Sequence, residues 1–166
     1  QAKRLNQFLI KNYNVKLFII SPLHRVVDSY EYASQGLNAE VESRDDLKEV
    51  CYGEWEEKVR TEIDPLILEK RSEHRFRFVH PGEFQGHKGE SYKEKAESLI
   101  PFFHEIKAQY QNEDYDVVIL AHHGILLAAV KYFNNLNDDE INDFRASNDS
   151  LFEVDLKSQK NEIKKF

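Results

Sequence analysis

The sequence lacks methionine altogether and has a single cysteine, Cys51, among its 166 residues. One cysteine excludes an intramolecular disulfide framework and is typical of a reducing compartment, so a cytoplasmic location is expected. Because methionine occurs neither at position 1 nor elsewhere, we expect that a segment upstream of Gln1 is missing from this sequence. The length, set against about 150 residues per domain, predicts one domain.

Long apolar runs and an excess of positive charge are also missing. No run approaches the roughly 18 residues of a membrane span, and no signal-peptide pattern opens the chain, so a membrane partner is not expected. The 23 basic residues face 30 acidic ones, which gives a net charge of −7. This balance argues against a nucleic-acid partner, although a small basic pocket within an acidic surface is compatible with it.

The hydrophobic residues, 40% of the chain, fall into patterns that alternate between strand and helix. Nearly continuous apolar runs predict buried strands at Val15–Ile20 and Val117–Ala121, with another strand near Leu151–Leu156. Helical spacing is found before the first run, after Pro22, after Ser91 and from Ile125 to Phe133. Strands that alternate with helices predict an α/β fold: a three-layer α/β/α sandwich with a mostly parallel central sheet.

Two predicted strands end in residues that could carry chemistry. The first is followed by Ser21 to Arg25, and the second by His122, His123 and Gly124. Ligands of open parallel sheets bind beyond the carboxyl ends of the strands. Arg25 falls in the first turn of a predicted helix, where the helix dipole favours anions, so its position makes sense if it holds an anion such as phosphate. A solvated arginine and a hydrogen-bonded buried histidine are the alternatives.

Metal binding is not predicted. The adjacent His122 and His123 should point to opposite faces of the backbone, so they are poorly placed to share an ion. The loop histidines His80 and His87 show no spacing with Cys or His that resembles a zinc site.

Taken in order, several short motifs resemble those of the histidine phosphatase superfamily, the phosphoglycerate-mutase-like group. Ser21–Arg25 is similar to the family's Ser-Pro-Leu-x-Arg motif, and Leu47–Glu49 with Gly53–Glu56 to its Leu-x-Glu and Gly-x-Trp-Glu segment. Gly89–Ser91 is similar to the Gly-Glu-Ser motif and Ile119–Gly124 to the strand with the second active-site histidine. Asn148–Val154 resembles the closing Asn-x-Ser strand. Each motif is weak alone, but five in the right order across nearly the whole chain indicate membership. The family's nucleophile, the histidine of an Arg-His-Gly triplet that ends its first strand, has no counterpart in this sequence.

The resemblance implies a single phosphoglycerate-mutase-like domain over residues 1–166, without its first strand and catalytic loop, and with residues 54–90 as a lid-like insertion. It implies that Arg25 and His122 hold the phosphoryl group, with His123 as a further phosphate-binding residue, and that Glu49 is the general acid. His122 is preferred over His123 as the catalytic histidine because Gly124 then follows it by two residues. No metal and no organic cofactor are implied.

The implied function is a phosphatase that hydrolyses small phosphomonoesters through a phosphohistidine intermediate, with a small phosphorylated substrate or free phosphate as its partner. The chain by itself, without the nucleophile, is expected to be inactive. Two alternatives stay open: phosphoryl transfer of the mutase type, and a non-catalytic binding domain that keeps the fold. Most cationic side chains of the lid are expected to form a solvated face, although they could recognise further negative charge: Arg71, His74, Arg75, Arg77 and Lys88. The substrate and the oligomeric state are left open.

Overall fold

The computed structural model describes residues 1–166. The helices are α1 (Ala2–Asn12), α2 (His24–Ala33), α3 (Pro65–Glu73), α4 (Tyr92–Ser98), α5 (Ile100–Tyr110), α6 (His123–Phe133) and α7 (Asp138–Asp143). The strands are β1 (Val15–Ile20), β2 (Glu40–Ser43), β3 (Glu83–Phe84), β4 (His87–Lys88), β5 (Asp116–Leu120), β6 (Ser150–Val154) and β7 (Asn161–Lys165). None of these helices combines the length and the apolarity that crossing a membrane requires.

The central sheet is parallel, as the sequence predicts, and has three strands in the order β2-β1-β5. Strand β1 pairs with both neighbours, and its last residue, Ile20, lies opposite Ser43 on one side and Leu120 on the other. The amide of Ser21 extends the pairing by donating to the carbonyl of Leu120 at 3.1 Å. The carboxyl ends of all three strands therefore meet at one edge of the sheet.

Helices cover both faces of the sheet and form two separate cores, which confirms the α/β architecture. On one face, α1 and α2 pack on Val15, Phe18 and Ile20 of β1. The other buried members of this core are Leu5, Leu9, Val26 and Ala33. On the other face, α4, α5 and α6 build the larger core around Phe103, Leu127 and Val130. The predicted strands β1 and β5 thus lie between two layers of helices.

Strand β5 has one unpaired edge. Its only partner is β1, whereas β6 pairs only with β7 in a separate antiparallel hairpin. The hairpin nevertheless follows the plane of the sheet, because Leu151 packs against the smaller core and the next residue, Phe152, against the larger one. Residue Ile119 of β5 is 37% exposed. The layer therefore contains β5 and β6 without hydrogen bonds between them.

The helical pattern after Ser91 is interrupted, as Pro101 predicts. Ser91 and Glu94 form a capping box at the start of α4, and the helix ends before Leu99. Pro101 lies in the first turn of α5, where its missing N–H needs no partner. The break lets both helices place apolar side chains in the larger core.

Residues 54–90 connect the sheet to α4 with little regular structure. Beyond α3, the segment contains the β3–β4 hairpin, within a stretch that the sequence predicts to be all loop. It has its own aromatic cluster, in which Trp55 stacks on Phe78 at 5.5 Å and the buried His80 meets both rings edge-on. Phe76, 1% exposed, joins the larger core. The segment is therefore anchored on the domain.

The larger core yields a test of the packing. Phe103→Ala removes a ring that is 1% exposed, and we expect the free energy of unfolding to fall by about 3–5 kcal/mol in urea denaturation. Ile100→Ala is the control on the same helix, since this side chain is 43% exposed and its loss should change stability by less than about 0.5 kcal/mol. Equal losses for the two variants would contradict the described core.

Candidate active site

Arg25 and His122 meet where β1 and β5 end. Arg25 lies in the first turn of α2, and His122 precedes α6 as its N-cap residue. The Nε of Arg25 donates a hydrogen bond to Nδ1 of His122 at 3.1 Å. On the other side of the ring, Nε2 lies 2.8 Å from the hydroxyl of Ser21, which is fully buried. The parallel pairing of the two strands thus brings together residues that are 97 positions apart in the sequence.

The His122 ring is neutral at physiological pH. Its pKa is lowered from 6.5 to about 4, mainly by burial and in addition by the positive charges of Arg25 and Lys95. An arginine can only donate, so Nδ1 accepts and the proton of the neutral ring resides on Nε2, from which it is donated to Ser21. The ring is oriented by two groups, and the exposed guanidinium of Arg25 stands beside it.

Glu49 lies on the neighbouring loop, between β2 and residues 54–90, and points to the start of α6. Its Oε1 accepts hydrogen bonds from the amides of Val50 and Gly124, both at 3.1 Å. Burial raises the pKa of this carboxyl, although the two amides and the charge of Arg25 oppose the rise. A carboxyl with a raised pKa keeps its proton to a higher pH than an exposed one, which suits a proton donor.

Gly124 is required by the position of Glu49. A Cβ atom at residue 124 would lie 2.4 Å from Oε1 of Glu49 and 3.1 Å from the ring of Tyr92. A side chain at this position would displace the carboxyl, so the glycine lets Glu49 reach the backbone of α6 directly. The glycine that follows the two histidines is therefore explained by this close approach.

His123 faces a different set of groups from His122. Its Nε2 contacts the guanidinium of Arg75, and its ring lies edge-on to Tyr92 with centroids 6.2 Å apart. The pKa of His123 is lowered from 6.5 to about 4, mainly by burial and in addition by the charges of Arg75, Arg145 and Arg71. The two adjacent histidines thus serve two neighbouring parts of the site, as expected for residues with opposite orientations.

Several residues of the site were not predicted from the sequence. Lys95 is 8% exposed, and burial lowers the pKa of its ammonium group, which also lies within electrostatic reach of Glu49 and His122. Tyr52 and Tyr92 share a hydrogen bond at 3.0 Å between their hydroxyls, beside Glu49. Nothing in their local sequence distinguishes them, since a lysine or tyrosine on a helix or loop is most often at the surface or in a core.

The arrangement can hold an anion next to a proton donor. Arg25 and Lys95 supply positive charge, His122 supplies an N–H, and Glu49 supplies a proton within the same pocket. The structure contains no group of three or more His, Cys, Asp or Glu side chains with the geometry of a metal site.

The whole chain matches one family of known proteins. The sequence matches the family model of the histidine phosphatase superfamily (branch 1) over residues 1–166. No curated protein sequence matches it at a significant level.

Solved structures share the fold at low sequence identity. A mycobacterial glucosyl-3-phosphoglycerate phosphatase in complex with VO3 is 20% identical, with a TM-score of 0.76 over 99% of this chain and 82% of that one. The alpha-ribazole phosphatase from Shigella flexneri is 17% identical, with a TM-score of 0.70 over 99% of this chain and 78% of that one. A protein described as mycobacterial hydrolase 2 is 22% identical, with a TM-score of 0.70 over 87% of this chain. This chain spans only 63% of the length of that hydrolase.

The charge state of His122 can be measured directly. In an NMR titration of the 166-residue chain, its ring should take up a proton with a midpoint near pH 4. Because the unfolded chain takes up this proton near pH 6.5, the stability due to the neutral ring is present above that pH and is lost as the pH falls toward 4. Saturating phosphate should raise the pKa, since a bound anion favours the imidazolium.

Arg25→Gln is the control for this titration. This substitution should move the pKa of His122 only part of the way back to 6.5, because burial lowers the pKa more than the charge of Arg25 does. A midpoint near 6.5 in the unsubstituted chain would contradict the described burial of the ring.

Proposed function

Because the chain belongs to the histidine phosphatase superfamily (branch 1), we propose that it is the core of a phosphatase for small phosphomonoesters. The observation that carries this proposal is the convergence of Arg25, His122 and Glu49 at one edge of the parallel sheet. Arg25 and His122 can donate hydrogen bonds to the phosphoryl oxygens. Glu49, whose pKa is raised, can give a proton to the leaving oxygen. A domain that only binds phosphate would need no such carboxyl.

In the proposed complex, Arg25 and the ring N–H of His122 donate to the phosphoryl oxygens. The ring of His122 must then rotate so that its Nε2–H points to the substrate instead of Ser21, or this N–H must be shared between the two oxygens. The ring of His123 can contribute only through its Nδ1–H, since its Nε2 already contacts Arg75. Donors that are held in place before the reaction stabilise charge as it develops in the transition state.

We assign the nucleophile to a histidine of an Arg-His-Gly triplet on a strand outside residues 1–166. The resemblance to the family suggests this triplet, and the sequence contains none. The unpaired edge of β5, in line with the β6–β7 hairpin, offers the backbone groups that such a strand would need. From there the strand would end at the same sheet edge as Arg25 and His122.

The proposed reaction has two steps. The nucleophilic nitrogen attacks phosphorus in line, the P–O ester bond breaks, and Glu49 gives its proton to the departing alkoxide. Glu49, now a carboxylate, then takes a proton from water as the water attacks the phosphohistidine. The P–N bond breaks, phosphate leaves, and the histidine is restored.

Residues 54–90 are proposed to act as the lid of this pocket. Tyr52 lies between Glu49 and this segment, and a cavity of about 330 Å³ opens beside it, lined in part by Trp55 and Arg71. This cavity would receive the organic part of the ester. The segment would thereby limit the access of water to the phosphoryl group.

The first test concerns the chain as it stands. The 166-residue chain should not turn over nitrophenyl phosphate, because none of its histidines is assigned as the nucleophile. Release of nitrophenol is followed by absorbance, with His122→Asn as the matched control. Activity that depends on His122 would show that our assignment of the nucleophile is wrong.

The second test concerns Glu49. In the protein that includes the Arg-His-Gly strand, Glu49→Gln should lower turnover of an alkyl phosphate by about 10²–10⁴-fold. The loss should be much smaller for nitrophenyl phosphate, because nitrophenolate leaves without prior protonation. The exposed Glu97→Gln serves as the control for loss of a carboxylate. An unchanged rate with the alkyl phosphate would remove Glu49 from this role.

A further inference from the structure

The arginines of this acidic protein differ in whether they meet a carboxylate. Arg44 is paired with Glu42, Asp46 and Glu105, and Arg77 with Asp138 and Asp139. By contrast, three arginines beside the candidate active site make no ion pair with any carboxylate: Arg71, Arg75 and Arg145. These three lie close together, since the charges of Arg145 and Arg71 both act on Arg75 and on its neighbour His123. A positive surface without counter-charges is where an anion from outside would bind most favourably.

Arg75 is held in place by neutral groups. Its guanidinium lies over the face of Tyr92, 5.8 Å from the ring centroid, and contacts Nε2 of His123. It also donates to the carbonyl of Phe144 at 3.4 Å, the same carbonyl that Arg145 contacts at 2.8 Å. Two guanidinium groups thus converge on one backbone oxygen, and part of the five N–H donors of Arg75 remains unused.

Arg71, four residues before Arg75 in the sequence, also has unused hydrogen-bond donors. Only its Nε donates, to Nε2 of the buried His80 at 3.3 Å, so both Nη groups are free. It also lines the cavity of about 330 Å³ with Lys58 and Arg60, and no carboxylate is among the lining residues. Burial lowers the pKa of Arg75, and repulsion from Arg145 and Arg71 lowers it further. A bound anion would relieve this repulsion.

We infer that Arg71 and Arg75 form a second anion site and that the substrate carries a second anionic group on its leaving alcohol. This inference rests on the proposed phosphatase function. The phosphoryl group would lie at Arg25 and His122, and the adjacent His123 links that position to Arg75. Planar guanidinium forks suit a carboxylate or a second phosphate, which offer paired oxygens. Arg77, already paired with two aspartates, is not part of this site.

Binding to the 166-residue chain tests the inference without turnover. Alkyl phosphates with two to four carbons are compared by NMR titration with the ω-carboxyalkyl phosphates and the alkanediol bisphosphates of matching length. At least one carboxylate or bisphosphate should bind about 10-fold or more tightly than its alkyl counterpart, because charge-assisted hydrogen bonds are added. The stronger of the two series identifies the second group as a carboxylate or a phosphate.

Variants assign this preference to the site. Arg75→Gln and Arg71→Gln should each remove most of it, and Arg75→Lys should keep part because the charge stays while the fork is lost. Arg4→Gln removes the same charge from the exposed face of α1 and should keep the full preference. The NMR spectrum of each variant reports whether it is folded.

Two results would overturn the inference. If alkyl phosphates bind but the second anionic group adds nothing, or if its gain survives in folded Arg75→Gln and Arg71→Gln, the second anion site is wrong and the phosphatase proposal stands. If no phosphate ester shifts the resonances of Arg25 or His122 in the folded chain, the phosphoryl site fails and the second site falls with it.

Discussion

The parallel pairing of β1 with β5 is the constraint on which the rest of the structure depends. It aligns Ile20 with Leu120 and extends through the amide of Ser21. Arg25 and His122 follow these strand ends by a few residues, so the pairing alone brings the two side chains within hydrogen-bonding distance. A shift of register by one residue would turn the apolar side chains of β5 to the wrong face, and both cores oppose such a shift.

Charge is distributed unevenly in the molecule. Of the 30 acidic residues, 10 form ion pairs, all with lysines or with Arg44 and Arg77, while the arginines around the two histidines have no such partners. Burial then acts in opposite directions on the groups between these cations. It raises the pKa of Glu49 and lowers the pKa of His122, so both are favoured in their neutral forms. A pocket of neutral groups bordered by free positive charges is suited to receive an anion and to transfer a proton to it.

The unpaired edge of β5 is where the strand proposed to carry the nucleophile would pair. A strand edge with apolar side chains is usually paired or covered, since its free backbone groups attract other strands. Here the β6–β7 hairpin continues the layer without hydrogen bonds to β5. The strand proposed to carry the nucleophile would fill this place and end at the same sheet edge as Arg25 and His122. Phosphoryl transfer and completion of the sheet would therefore depend on one segment.

Much of the fold was predictable because its signals are local. Two apolar runs indicate β1 and β5, and Pro101 and the Ser91–Glu94 pair indicate where α4 and α5 begin and end. The β3–β4 hairpin was not predicted, because two-residue strands have no periodicity. The aromatic cluster around His80 was also missed, since its rings come from positions far apart in the sequence.

By itself the sequence determined the α/β class, the order of the motifs and the candidates Arg25, Glu49 and His122, because strand ends and short motifs are local features. Only the tertiary structure decided the charge states and the partners. His122 and His123 are neighbours in sequence, yet one contacts Arg25 and the other Arg75. Likewise, Arg75 and Arg77 look equivalent in the sequence, but only Arg77 meets carboxylates. Burial and unpaired charge arise from packing between distant segments, and no local pattern records them.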